Sequence, residues 1–246
     1  MKKIITAAVA STMALSLVAP MSAFAMENGD MNETGSVKAN AMQACTDRLQ
    51  DREADFDAKQ ADLGQKLSEQ RADQDARINS RREDANAKLK EARDNRDAKG
   101  FGRPAIKDAT FRASVDAAMT VRRAAVDAAM TNFRTSHDAA LATRRAAVDA
   151  AAATRKAAVN AAIAEMKSHC NGTADERKAA RVKFQAAIKA ARTAFYDATK
   201  PAQDAYKASV AKAVDTRNAA VKSAMDTYRA AVQAALNAYK AAHPAS

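Results

Sequence analysis

Two cysteines and three histidines are the side chains of this 246-residue chain best suited to redox or metal chemistry. Cys45 and Cys170 offer a disulfide, and His169 beside Cys170 offers half of a metal site. A metal ion needs three or four ligands brought together, yet no further Cys or His stands at ligand spacing from His169 and Cys170. No metal is therefore expected. His137 holds a position that the neighbouring repeats fill with valine, which marks it as a seam residue rather than a catalytic base. The carboxylates recur at the rhythm of a surface, and the chain has no nucleophile elbow, phosphate-binding glycine loop, HExxH or CxxC. The expectation is a protein without catalytic residues or cofactor, whose one chemical feature is a candidate disulfide between Cys45 and Cys170.

Helices must position those cysteines. Val115, Val126, His137, Val148 and Val159 fall eleven residues apart, with Met119, Met130, Leu141, Ala152 and Ile163 four residues later. Eleven residues make about three turns at 3.67 residues each, so these side chains form one nearly straight stripe with a slight right-handed supercoil. The repeat predicts a helix over 105–170. Arg112, Arg123, Arg134 and Arg145 each precede an aspartate by four residues, a spacing expected to give weak ion pairs within that helix.

A second helix of the same kind is predicted over 174–242. It carries Tyr206, Arg217, Tyr228 and Tyr239, then Val210, Val221 and Val232, then Val214, Met225 and Leu236. Between the two, Asn171-Gly172 predicts a left-handed stop, and Thr173 with Glu176 a capping box, so 171–173 form a turn. Pro201 predicts a kink, with Phe195 and Tyr206 keeping the phase across it. Upstream, Cys45, Phe56, Leu67, Ile78 and Leu89 again fall eleven apart, predicting a helix over 37–98. A loop over 99–104 follows, its glycines ending one helix and Pro104 suiting the first turn of the next. Residues 26–36 read as a flexible leader and 243–246 as a tail. Helices of about 60 to 70 residues span roughly 90 to 105 Å. The fold class is all-α: an elongated antiparallel three-helix bundle or coiled coil of long alanine-rich helices, with a single extended or oligomeric coiled coil as the competitor.

Both cysteines lie on these seams. A simple hairpin closing near Gly102 puts Cys45 opposite residue 158 or so, about 18 Å from Cys170 along the axis, whereas a disulfide needs Cα atoms within about 7 Å. Three outcomes stay open: the loop shifts the register by one repeat, the bond is intermolecular, or both thiols are free.

The N-terminus joins Lys2 and Lys3 to an apolar run from Ile4 to Val18 and then Ala23-Phe24-Ala25. That is the pattern of a secretory signal peptide over 1–25, cleaved near Ala25, and it implies export to the periplasm or the medium. Two cysteines in an exported protein pair more often than they stay free. Alanine dominates the hydrophobic 48%, since Leu, Ile, Val and Phe together number only 34 of 246. So low a share allows helices packed thinly on one another. Lys and Arg against Asp and Glu stand at 14 to 17 over residues 26–100 and at 24 to 12 over 101–246. The chain is thus a mildly acidic arm joined to a basic body.

From Cys45, Arg48, Arg52 and Glu53 through the Arg-Arg-Ala-Ala-Val-Asp-Ala-Ala repeats, the chain resembles uncharacterised exported alanine-rich helical proteins of candidate-phylum bacteria. The resemblance covers most of the mature chain and implies no activity. In its period alone the chain is similar to late-embryogenesis-abundant proteins and exchangeable apolipoproteins. Thr120 with Thr131, and Thr216 with Thr227, match the spacing of helical antifreeze proteins, but arginines crowd those repeats where an ice-binding face is charge-poor.

The functional expectation is a non-enzymatic exported structural or spacer protein of the cell envelope. The alternative is a basic amphipathic binding protein for anionic membrane surfaces or unfolded clients, or a stress and desiccation protectant. Self-association and contact of the basic body with anionic membrane, polysaccharide or acidic protein are the partners its charge suggests. Nucleic acid suits the charge but not export.

Overall fold

Alanine, arginine and lysine are strong helix formers. The computed structural model describes residues 35–98 and 108–244, which form three helices and no strand. Helix α1 spans Gly35–Ala98, α2 spans Ala109–Ser168 and α3 spans Ala174–Ala242. The expected signal (1–25), the leader up to residue 34 and the expected loop (99–104) lie outside the described residues.

The helix ends follow from local chemistry. Asp108, in extended conformation, caps α2 by accepting a hydrogen bond from the Phe111 N–H at 2.8 Å. The α2 helix therefore starts at Ala109, past the expected position 105. At the other end α2 stops at Ser168, two residues early. There the His169 N–H donates to the Met166 carbonyl and the Cys170 N–H to the Lys167 carbonyl, a tightened three-residue pattern. The Thr173 capping box is present: the Glu176 N–H donates to Thr173 Oγ1, and the Thr173 N–H donates to Glu176 Oε2 at 2.7 Å. Gly172 does not take the left-handed conformation expected of it. Its need is for space, because a Cβ there would lie 2.7 Å from the capping Glu176 oxygen. The α3 helix runs unbroken through Pro201, an exposed position where the carbonyl left unpaired by proline can be solvated.

The helices pack antiparallel in chain order, α2 touching both of the others. The α2 and α3 backbones run close together, whereas α1 approaches α2 that closely at few places and α3 at none. Every buried residue of α3 is alanine: Ala180, Ala191, Ala213 and Ala224. Against them α2 sets larger side chains, among them Phe111, Val115, Leu141, Val159 and Ile163. Small side chains on one helix let the axes approach, and large ones on the other fill the seam.

Among the described residues of α1 only Leu49 is buried. The expected stripe is half-buried at Phe56, Leu67 and Ile78, and Leu89 is 39% exposed. All three helices meet at one apolar cluster, where Val159, Ile163 and Ala191 pack with Phe56, Phe184 and Ile188. Among the described residues, no polar or charged residue is buried.

Candidate functional site

Polar side chains form a ladder between α1 and α2. Arg71 bonds Asp149, Arg82 bonds Asp138 and Arg93 bonds Asp127, each through both guanidinium ends at 2.5–3.0 Å. As one partner rises by eleven, the other falls by eleven, which is the signature of a strict antiparallel register. A second rung lies four residues from each of these with the charges exchanged: Asp75 with Arg145, Asn86 with Arg134 and Asp97 with Arg123. The series continues as Glu53 with Lys167. The position due opposite Lys156 is Gly64, so Lys156 turns to Asp57 at 3.0 Å instead.

These pairs correct the expected use of the α2 charges. Arg123, Arg134 and Arg145 do not serve the aspartates four residues on; both members of each set reach across to α1. Pairing across helices satisfies two bidentate groups per rung and fixes alignment, which an exposed pair within one helix does not. The missing signal was present on α1, where Arg71, Arg82 and Arg93 recur at eleven with Asp75, Asn86 and Asp97 four later.

Hydrogen bonds from Arg145, Arg93 and Arg82 hold the carboxyls of Asp75, Asp127 and Asp138, respectively, below the ordinary value of 3.8. The guanidinium groups of Arg93, Arg123 and Arg145 are raised in return by hydrogen bonds to Asp127, Asp97 and Asp75.

The α2–α3 seam carries a ladder of another kind at the same pitch. Phe111 packs on Tyr239, with ring centroids 5.9 Å apart. Then Arg122 lies 4.7 Å from the Tyr228 centroid, Arg217 4.9 Å from Phe133, Arg144 5.3 Å from Tyr206, and Arg155 5.8 Å from Phe195. Every rung joins an aromatic ring to an arginine or to a second ring, whichever helix supplies it. Each cation–ring contact is worth about 0.5–1 kcal/mol where exposed. His137 belongs to this seam: its Nε2 lies 3.3 Å from the Tyr206 hydroxyl and its Nδ1 3.2 Å from Asp138 Oδ1.

Cys45 and Cys170 form a disulfide, with Sγ atoms 2.10 Å and Cα atoms 5.8 Å apart. The simple hairpin register does not hold. The last rung, Asp97 with Arg123, sets Asp97 beside the fourth turn of α2, about 20 Å past the first residue of that helix. The simple hairpin would set Asp97 beside residue 106 or so; with Arg123 there instead, the register is shifted by about 17 residues, in the direction that brings Cys170 to Cys45.

His169 faces Glu165 at 3.2 Å, and Cys170 is engaged in the disulfide. No group of three or more His, Cys, Asp or Glu among the described residues is arranged to hold a metal ion. A polar groove lined by Leu89, Arg93, Asp97 and Arg123 opens between α1 and α2, and a groove lined by Ala129, Ser136, Ser209 and Ala213 between α2 and α3. The first is walled by ladder residues already paired with one another; the second also includes Phe133 and Arg217, which already pack on one another in the α2–α3 ladder. Among the described residues no helix is long and apolar enough to cross a membrane. No known family model, curated protein or solved structure matches this chain.

Proposed function

We propose that this chain is a non-enzymatic exported structural protein, a helical spacer of the cell envelope whose repeat serves length and shape. The observation that carries the reading is the shared pitch of the two ladders. Charged and aromatic side chains that a binding or catalytic protein would aim into a cleft are here spent at eleven-residue intervals on holding three helices in line. Such rungs favour one register and one straight form. Helices of 60 to 69 residues reach roughly 90 to 105 Å.

Small-angle scattering with circular dichroism through a melt tests this. A rod of about that length, highly helical and sharply melting without any ligand, is the expected result. Low helicity that rises only with lipid or on drying would overturn it. A second reading, binding of anionic surfaces, has its own observation: Val182 is 63% and Tyr196 44% exposed on a stretch of α3 that also carries Lys178, Lys183 and Lys189. Anionic vesicles added to the same melt would raise the melting temperature under that reading and leave it unchanged under the first.

A further inference from the structure

We infer that the rod associates side by side with further copies of itself, the outer face of α1 in one copy meeting the outer face of α3 in the next, parallel and at the same height. The outer faces of α1 and α3 are exposed, and the backbones of these two helices do not approach each other closely. Their exposed charges follow the pitch of the internal ladder.

On α1, Asp51, Asp62, Asp73 and Asp84 recur at eleven on the side away from α2, with Lys66, Arg77 and Lys88 four residues after the last three. On α3, Lys178, Lys189, Lys200 and Lys222 lie at multiples of eleven, and Asp204, Asp215 and Asp226 form the row four residues on. All of these are exposed. Lys66 bonds Asp62, Lys200 bonds Asp204 and Lys222 bonds Asp226 within their own helices. Asp51, Asp73, Arg77, Asp84 and Lys88 of α1, and Lys178, Lys189 and Asp215 of α3, have no ion-pair partner among the described residues.

The internal ladders fix the relative heights. Arg71 is level with Asp149, and Arg144 with Tyr206, so Asp51, Asp62 and Asp73 stand at the heights of positions 181, 192 and 203 on α3. Each lies three residues from a lysine: Lys178, Lys189 and Lys200. Arg77 and Lys88 stand by the same offset from Asp204 and Asp215. Three residues are about 4.5 Å of helix, within the reach of a lysine or arginine side chain. Across the outward rows 51–88 and 178–215, five positions meet an opposite charge, three meet a neutral residue and none meets a like charge. The arrangement repeats, between copies, the four-residue exchange of sign that joins α1 to α2 within one. Because unlike faces meet, the contact is open-ended and yields rows of rods rather than a closed pair.

This deepens the spacer reading and rests on its register, though a rod that stayed monomeric would leave that reading standing. Exposed ion pairs are individually weak and screened by salt. Sedimentation of the purified chain is therefore expected to show a weight-average mass at least twice the 26.1 kDa monomer at about 0.01 M salt and monomer at about 1 M, where the screening length has fallen to about 3 Å. The double variant Lys189→Asp with Lys200→Asp should remain monomeric at low salt, as should Asp62→Lys with Asp73→Lys. Mixing the two should restore association, since each supplies the charge the other lacks. Circular dichroism of each variant controls for folding. Monomer at every salt concentration, association indifferent to the reversals, variants that fail to complement each other, or binding to anionic vesicles without self-association would each overturn the proposal.

Discussion

The two faces of α2 solve the same problem with different materials. Toward α3 it presents Phe111 to Tyr239 and the buried Val115, Leu141, Val159 and Ile163 to a helix whose own buried residues are all alanine, and arginine–aromatic contacts flank the seam. Toward α1 it presents arginine and aspartate, and the backbones stay farther apart. The first interface rests on removal of apolar surface from water, which salt and acid barely touch. The second rests on charge pairs that are a quarter to a half exposed, so salt and acid both weaken it. From this difference α3 should stay docked under conditions that release α1, and the covalent tie at Cys45 and Cys170 falls on the weaker interface.

Removing that tie is the largest way to break the comparison. The disulfide closes a loop with a sequence separation of 125, for which chain entropy gives roughly 4–5 kcal/mol. Reduction, or Cys45→Ser with Cys170→Ser, should lower the melting temperature and raise hydrogen exchange along α1 more than along α3. Equal effects on both helices would remove the asymmetry. Next in size, Ile163→Ala at the three-helix cluster, where Ile163 is 3% exposed, should cost about 2–5 kcal/mol, and denaturant titration should give the same loss at low and high salt.

Acid should act on α1 through Asp75, Asp127 and Asp138. Their carboxyls sit below 3.8 when folded, so the stability they confer is full above the unfolded value and is lost as the pH falls through the lower folded values. Melts between pH 6 and pH 2 should show α1 protection fading below about pH 4, with α3 persisting to lower pH.

Smaller effects sharpen the picture. Arg82→Ala should cost about 1 kcal/mol at low salt and less at high salt, and Arg144→Ala on the other face should change less with salt. Gly64→Asp should stabilise by about 1 kcal/mol, by removing a mid-helix glycine and giving Lys156 the partner its position lacks. A Cβ at Gly64 meets nothing within 4 Å, so space does not oppose the change.

Much of this was legible in the chain. The stripe through Val115 and Val159, the break at Asn171-Gly172 and the Thr173 box follow from periodicity and capping, because both act over a few residues. The Asp108 cap was equally local and was passed over for the more conspicuous Pro104. Less legible was the destination of the arginines. Arg123, Arg134 and Arg145 stand four residues before aspartates, and spacing alone reads as pairing within a helix, because a sequence displays neighbours on one helix and not those across a seam.

By itself, then, the sequence determined three long helices, their eleven-residue pitch and the faces that carry cysteine, valine and charge, since helix formation and its 3.67-residue rhythm are set by local preference and the order of side chains. Only the tertiary structure decided the register. An eleven-residue repeat matches itself after a shift of one repeat almost as well as at none, so the stripe cannot choose. The choice falls to features that break the repeat: the single cysteine on α1, its partner in the turn just past α2, and the rungs at Asn86 and Gly64 where the charge pattern departs from its own rule.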